Sequence, residues 1–480
     1  MRRSSARFPR CGFVRSGFVR LGFVQTAGVI LAASALWTSA ATTVSAVPPN
    51  MRPVPEQVTE TIDSVIPPAP YPRLTTIPDR AKAPGYPHSV LELRAAILPS
   101  PVGDAFFDVW PTNLKGKKPG TVLRSRDVTA VAAPLVTVPI QSARQLKFVS
   151  TDALGQPSFG TATVITPRTR WTGRGSRPIL INNLPIDSMG TKCTSGYTLA
   201  HGFSGDTNTS DFFPPTTQLA LHRGYAVIVP DHQGPRMAYA EPTTAGHIVL
   251  DSVRAVSDYD RQSFGESKVA MTGYSGGAIA TNGATRLAGE YAPDIAPRLV
   301  GAAMGGVPAD YRILTASMNA NLATGLFHEA MFGLARERPE LLTLANNAAQ
   351  WLVTSPLKDG CATWGILGGL TFLPAQLLSN DNDPFNSPVA EHIYAITKMA
   401  DKKSVVPLYV YQGAQEFWIP PAGTRDLFAE QCRLGADVTY REVPGEHFLA
   451  TVTGYPDAIT WLDDRLRGKP APNDCPRHTG

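Results

Sequence analysis

From about residue 140 onward, short runs of β-branched and apolar residues alternate with stretches of helical period. The runs are LKFVST (146–151), TATVIT (161–166), PILINNL (178–184), YAVIVPD (225–231), KVAMTGY (268–274), LVGAAMGG (299–306), VPLYVYQG (406–413) and DVTYREVPG (437–445). Helical periodicity fills TQLALHRG (217–224), HIVLDSVRAVSDY (247–259) and GAIATNGATRLAGEYA (277–292). Several of the runs are apolar almost throughout rather than at every second position. Such strands are buried on both faces, so the pattern predicts an α/β protein with a mostly parallel, doubly wound sheet.

Two stretches break the pattern. Residues 47–90 are proline-rich, as in VPPNMRPVPEQV and IPPAPYPRL, and lack sustained periodicity. They read as an extended leader or linker. Between 307 and 400 strand signals disappear, and apolar helical stretches such as LLTLANNAAQWLV (341–353) and WGILGGLTFLPAQLL (364–378) take over. This is the signature of a helical cap inserted between two strands. The expected layout is a signal at 1–46, a Pro-rich extension at 47–103, a core at 104–306 and 401–480, and a cap at 307–400.

Composition changes the picture mainly at the N-terminus. The net charge of +5 is carried by the first 46 residues, which hold Arg2, Arg3, Arg7, Arg10, Arg15 and Arg20 and no acid or lysine. The rest is close to neutral, which removes the electrostatic case for a nucleic-acid partner. The arginines precede the apolar run TAGVILAASALW and the small-residue site Val44-Ser45-Ala46, the order of an export signal. The expected location is therefore extracellular, or retained at the cell envelope. Cys11 falls in the signal, leaving Cys193, Cys361, Cys432 and Cys475. An even number in an exported chain points to two disulfides, with the connectivity open. No phosphate- or dinucleotide-binding glycine loop and no metal-ligand spacing occurs, so no cofactor is expected. Nothing in the sequence calls for an obligate protein partner.

Candidate chemistry centres on Gly273-Tyr274-Ser275-Gly276-Gly277. The strand-like KVAMTGY precedes Ser275 and a helix follows it. This places the serine at a strand-to-helix turn, the setting of a nucleophile elbow. The Gly276 N–H, at the start of that helix, would donate to a developing oxyanion. An elbow expects an acid and then a histidine later in the chain. Of the nine histidines only His447 and His478 come late enough. His447, just after a strand, is the candidate base, and Glu416, after the preceding strand, is the candidate acid. The rival acids are Asp426, Asp381 and Asp383. DHQGP (231–235), at another strand end, is expected to line the site, with His232 in no catalytic role.

With Ser275, Glu416 and His447 in place, the chain resembles the secretory lipases of fungi and actinobacteria from about residue 104 onward. The resemblance rests on DAFFDVW (104–110), PGTVLRSR (119–126), QLKFVSTDALGQPSFGTATVITP (145–167), YAVIVPDHQGPRMAYA (225–240), GYSGG (273–277) and GEHFLA (445–450). It implies an α/β-hydrolase fold with a helical cap and no metal. The implied activity is extracellular hydrolysis of carboxylic esters, such as triacylglycerols, through an acyl-enzyme. It also implies an apolar ester substrate and work at a lipid–water interface. In LPIDSMGTKCTSGY (184–197) it assigns Asp187 to the oxyanion hole beside Gly276, and it pairs Cys193 with Cys361 and Cys432 with Cys475. This chain has glutamate at position 416, where the family commonly has aspartate, and the bulky Phe417 and Trp418 follow it. Two other activities fit the same residues: acyl transfer to an alcohol, or non-catalytic binding of lipid or a surface partner.

Overall fold

The structure is a computed structural model that describes residues 48–205, 207 and 215–476. The export signal read at 1–46, Cys11 and His478 lie outside the described residues. Nine strands form one sheet: β1 (Val122–Asp127), β2 (Ile140–Thr151), β3 (Pro157–Pro167), β4 (Ile179–Asn183), β5 (Ala226–Pro230), β6 (Val269–Tyr274), β7 (Leu299–Gly305), β8 (Leu408–Gly413) and β9 (Val438–Val443). Their order is β1-β2-β3-β5-β4-β6-β7-β8-β9. The pairs β1–β2, β2–β3 and β3–β5 are antiparallel, and all later pairs are parallel.

The apolar strands are continuous because each serves two cores. In β4, Ile179 and Ile181 enter a core built with the helices Pro242–Tyr259 and Gly276–Tyr291, while Leu180 faces the opposite core under the helices Thr216–His222 and Tyr455–Leu466. This is the doubly wound arrangement, with side chains alternating across the pleat. One strand escaped the sequence reading. β1, VLRSRD, pairs with β2 alone and leaves Arg124 and Ser125 exposed. An edge strand needs little apolar signal, and this one has little.

Between β7 and β8 lie the helices Tyr311–Met318, Thr324–Glu337, Asn347–Thr354, Ala362–Gly368 and Pro388–Lys398. The apolar run 364–378 is not one helix. It breaks into Ala362–Gly368 and two short 3-10 turns, at a Gly-Gly pair and at Pro374, which lacks an amide donor. The proline-rich segment also differs from the extended leader read in the sequence. It carries the helices Glu56–Val65 and His88–Ile97. Val54, Ile62 and Ile66 pack with Ala348, Ala349 and Leu377, and Leu93 and Ile97 pack with Ala335, Leu342 and Val353. Each helix is only ten residues long, too short to hold alone in water, so tertiary packing supplies the stability.

One side chain joins these parts. Arg336, fully buried near the end of Thr324–Glu337, donates to five backbone carbonyls: Ile97 (3.0 Å), Met189 (2.7 Å), Arg236 (3.1 Å), Met237 (3.0 Å) and Lys358 (2.7 Å). Burial pulls its pKa down to about 9. The neighbouring Arg94, on the helix His88–Ile97, donates to the carbonyls of Arg336 (2.7 Å) and Lys82 (2.7 Å). Disulfides join Cys193 to Cys361 and Cys432 to Cys475. The first ties the segment after β4 to the cap, where the Met189 N–H also donates to Gly360 O (2.8 Å).

Replacing Arg336 with methionine keeps the length but strips the donors from five buried carbonyls. Denaturant unfolding should show a loss of at least about 3 kcal/mol, or no folded protein at all. A loss below about 1 kcal/mol would mean that these carbonyls find water in the native state.

Candidate active site

Ser275 stands between the last residue of β6 and the first residue of the helix Gly276–Tyr291. Its backbone is at φ 54°, ψ −122°, a conformation that costs a non-glycine residue about 1–3 kcal/mol and is usually retained at functional positions. The surrounding glycines are steric necessities. A Cβ on Gly273 would lie 2.1 Å from Gly277 O, one on Gly277 would lie 2.0 Å from Asn183 O, and one on Gly276 would lie 1.6 Å from Asp187 Oδ1. The turn can therefore sit hard against β4 and the loop that follows it, and the Ser275 N–H donates to Gly305 O on β7 (3.0 Å).

The structure brings Ser275, His447 and Glu416 into one chain of contacts. His447 Nε2 lies 3.0 Å from Ser275 Oγ, and its Nδ1 lies 2.6 Å from Glu416 Oε2. His447 opens the helix His447–Thr453, capped by Glu446, whose carboxylate accepts from the N–H groups of Phe448 and Leu449. Glu416 lies in the turn between β8 and the helix Pro421–Arg433, with its side chain fully buried. Its Oε1 accepts from the N–H groups of Trp418 (2.9 Å) and Ile419 (3.2 Å). One carboxylate oxygen thus fixes the loop and the other faces the imidazole. The longer glutamate side chain reaches both.

The rival acids are engaged elsewhere. Asp383 accepts from Asn386 Nδ2, Asp381 accepts from the Asp383 N–H, and Asp426 is exposed on its helix. The DHQGP segment does not line the cavity at Ser275. Asp231 is taken up by Thr161 Oγ1 (2.6 Å) and the Gly196 N–H (2.7 Å), and His232 Nε2 contacts Leu184 O (2.8 Å). Burial lowers the His232 pKa to about 4. These side chains turn inward to brace the strand ends.

Two positioning groups went unread in the sequence. Tyr274 Oη donates to His447 O at 2.5 Å, and the Trp418 ring lies 5.6 Å from the imidazole. Only the placement of Tyr274 directly before the serine, and the noted bulk of Trp418, hinted at either.

Asp187 follows β4 at φ 42°, with Oδ1 against the Gly276 Cα. That oxygen is buried and has no hydrogen-bond partner among the described residues. Burial raises the Asp187 pKa to about 7, against the opposing pull of His447 and of the backbone N–H groups of Gly276 and Asp187. The carboxyl therefore holds its proton at mildly acid pH and has no acceptor of its own. Ser275, His447 and Asp187 open onto a cavity of about 220 Å³ between sheet and cap, walled by Leu326, Phe327, Leu378 and Ile393 among other apolar groups. Among the described residues, no group of three or more His, Cys, Asp and Glu is placed to hold a metal ion.

Truncating Glu416 to alanine would leave the Trp418 and Ile419 N–H groups and His447 Nδ1 unpaired. The expected loss of stability is about 1–3 kcal/mol. The far-downfield proton NMR signal expected of the short Nδ1–H bond should vanish with it. Its survival would place the imidazole on another acceptor.

Three similarities bear on what this site belongs to. A protein of Mycobacterium tuberculosis named a probable inactive lipase is 29% identical over 394 residues, covering 80% of this chain and 86% of its own. Lipase 1 of Candida albicans is 27% identical, covering 78% and 83%. The crystal structure of Candida antarctica lipase A in its closed state superposes with a TM-score of 0.69 at 24% identity, over 79% of this chain and 89% of that one. That last likeness shows the fold, which is that of the α/β-hydrolases. The family model for secretory lipases matches residues 215–474, more than half of the sequence and the part that carries Ser275, Glu416 and His447. The chain belongs to the secretory lipase family.

Proposed function

We propose that the protein is an extracellular serine ester hydrolase acting on lipid or other apolar esters. The observation that carries this reading is the unbroken contact from Glu416 through His447 to Ser275, at 2.6 and 3.0 Å, opening into an apolar cavity. His447 Nε2 takes the Ser275 proton as Oγ attacks the ester carbonyl. Glu416 holds the tautomer with the proton on Nδ1 and stabilises the imidazolium that forms. The oxyanion receives the Gly276 N–H and, while Asp187 is protonated, its carboxyl O–H. Each such donor is worth about 3 kcal/mol of barrier. The alcohol leaves with the proton from His447. Water then attacks the acyl-enzyme with His447 as base and releases the acid.

The cavity supports a long acyl group, which would lie between the cap helices. Phe417, Phe448, Leu449 and Val452 are large apolar side chains exposed beside Glu416 and His447, and they suit contact with a lipid–water interface. A non-catalytic reading draws on the relative named a probable inactive lipase. The intact hydrogen-bonded chain at Ser275 favours the hydrolase.

A fluorophosphonate should label Ser275, with the adduct located by mass spectrometry. Labelling should be lost in His447→Ala, and Ser275→Ala should cut ester turnover by about 10⁴-fold or more. A folded protein that takes no label would retire the hydrolase reading in favour of the binding one. The Asp187 role predicts a pH effect. The donor form exists below the Asp187 pKa and is lost as pH rises through about 7. kcat/KM should fall on that limb, and Asp187→Asn, a donor at every pH, should flatten it. An unaltered limb in Asp187→Asn would assign the fall to another group.

A further inference from the structure

A second, smaller cavity of about 80 Å³ lies within the cap. Phe332 and Val353 line both cavities, so the two adjoin there. The second differs in chemistry. His328 and Glu329, consecutive on the helix Thr324–Glu337, both line it. His328 Nε2 and Glu329 Oε2 are buried, and neither has a hydrogen-bond partner among the described residues. The cap leaves room for the carboxyl by means of Gly365, where a Cβ would lie 2.1 Å from Glu329 Oε2.

Burial disfavours the charged form of both groups. It lowers the His328 pKa to about 4 and raises that of Glu329 far above the usual carboxylate range, with the Asp187 charge adding to the latter. The Leu373 carbonyl faces the imidazole and accepts its one N–H. With the carboxyl protonated and the imidazole neutral, the cavity offers a carboxyl O–H donor and a ring-nitrogen acceptor. Leaving both unmet carries a desolvation penalty for each group. A hydroxyl answers both at once, accepting from Glu329 and donating to His328. A methyl terminus answers neither. Lys358 also lines the cavity, but its Nζ is already held by Leu98 O, Ser100 Oγ and Asp359 Oδ2. The volume exceeds the roughly 10–15 Å³ that one water requires.

We propose that this cavity is a subsite for a hydroxyl group at the far end of the acyl chain, so that the substrates include esters of terminally hydroxylated fatty acids. The proposal rests on the reading of Ser275 as nucleophile. The acyl chain extends from Ser275 through the apolar cavity, and its distal end passes Phe332 and Val353. The hydroxyl undergoes no reaction. Ester and water still give acid and alcohol, the acid here being a hydroxy acid.

The test compares p-nitrophenyl esters from octanoate to octadecanoate, each with and without a terminal hydroxyl. The ratio of the two kcat/KM values at each length is the readout. At one or two lengths the wild type should favour the hydroxylated ester by at least about tenfold. Glu329→Leu should bring that ratio to about one, while Glu329→Gln, which keeps a donor, should retain most of it. His328→Leu gives the same reading should Glu329→Leu fail to fold. No preference at any length, or a preference untouched in these variants, would overturn the proposal and leave the cavity to water. Hydrolysis of the butanoate ester, lost in Ser275→Ala, reports separately on the hydrolase reading. Were no ester turned over, calorimetric titration with the free hydroxy acids and their parent acids would decide the subsite without the chemistry.

Discussion

A buried guanidinium holds the upper half of this molecule together. Arg336 has no carboxylate among its hydrogen-bond partners; all five are carbonyls, from the N-terminal segment, the loop after β4, the chain after β5 and the cap. These carbonyls lie at helix ends or in loops, beyond the regular ladders, so a planar fork of donors satisfies them from one point. The N-terminal segment, the Asp187–Cys193 loop and the cap are thereby fixed to one another. Cys193–Cys361 closes the same junction covalently.

The second constraint is proximity at the serine. Three glycines let the elbow approach β4 and Asp187 more closely than any side chain would permit. Ser275 in turn accepts a strained backbone, which the register of β6 between β4 and β7 maintains. The result is a hydroxyl, an imidazole and two carboxyl groups in one small volume. Glu416 is held by two backbone N–H groups and faces His447. Asp187, whose Oδ1 has no partner among the described residues, has its pKa raised to about 7 by burial. The two carboxyl groups thus sit in different environments, one bound by backbone N–H groups and the imidazole, the other with an unpartnered oxygen.

The cap encloses the cavity at Ser275. Its helices are short, apolar and broken by glycine and proline, and two helices of the N-terminal segment wall it from outside. The same construction leaves polar atoms of His328 and Glu329 facing a cavity instead of a partner. A cap built only to cover a hydrocarbon chain would have no use for them.

Much of the core and of the site was legible in the sequence, because local pattern carries it. Strands buried on both faces, such as β5 and β6, are nearly apolar throughout and stand out; the edge strand β9 shows itself by its β-branched and aromatic residues, and β1, with Arg124, Ser125 and Arg126, does not. The elbow shows itself because glycine is the residue that fits where backbones nearly touch. Ser275, Glu416 and His447 follow from chain order and from each lying just past a strand end. The rest was decided in three dimensions. Nothing local says that Tyr274 anchors His447, that Arg336 is the hub, that DHQGP turns away from the cavity, or that a proline-rich leader folds into helices against the cap. These outcomes depend on partners far away in the chain: about 240 residues separate Arg336 from Ile97. Sequence alone determined the periodicities and the close-approach glycines. Desolvation, hydrogen-bond pairing and the division of space into two cavities arise only when distant segments meet.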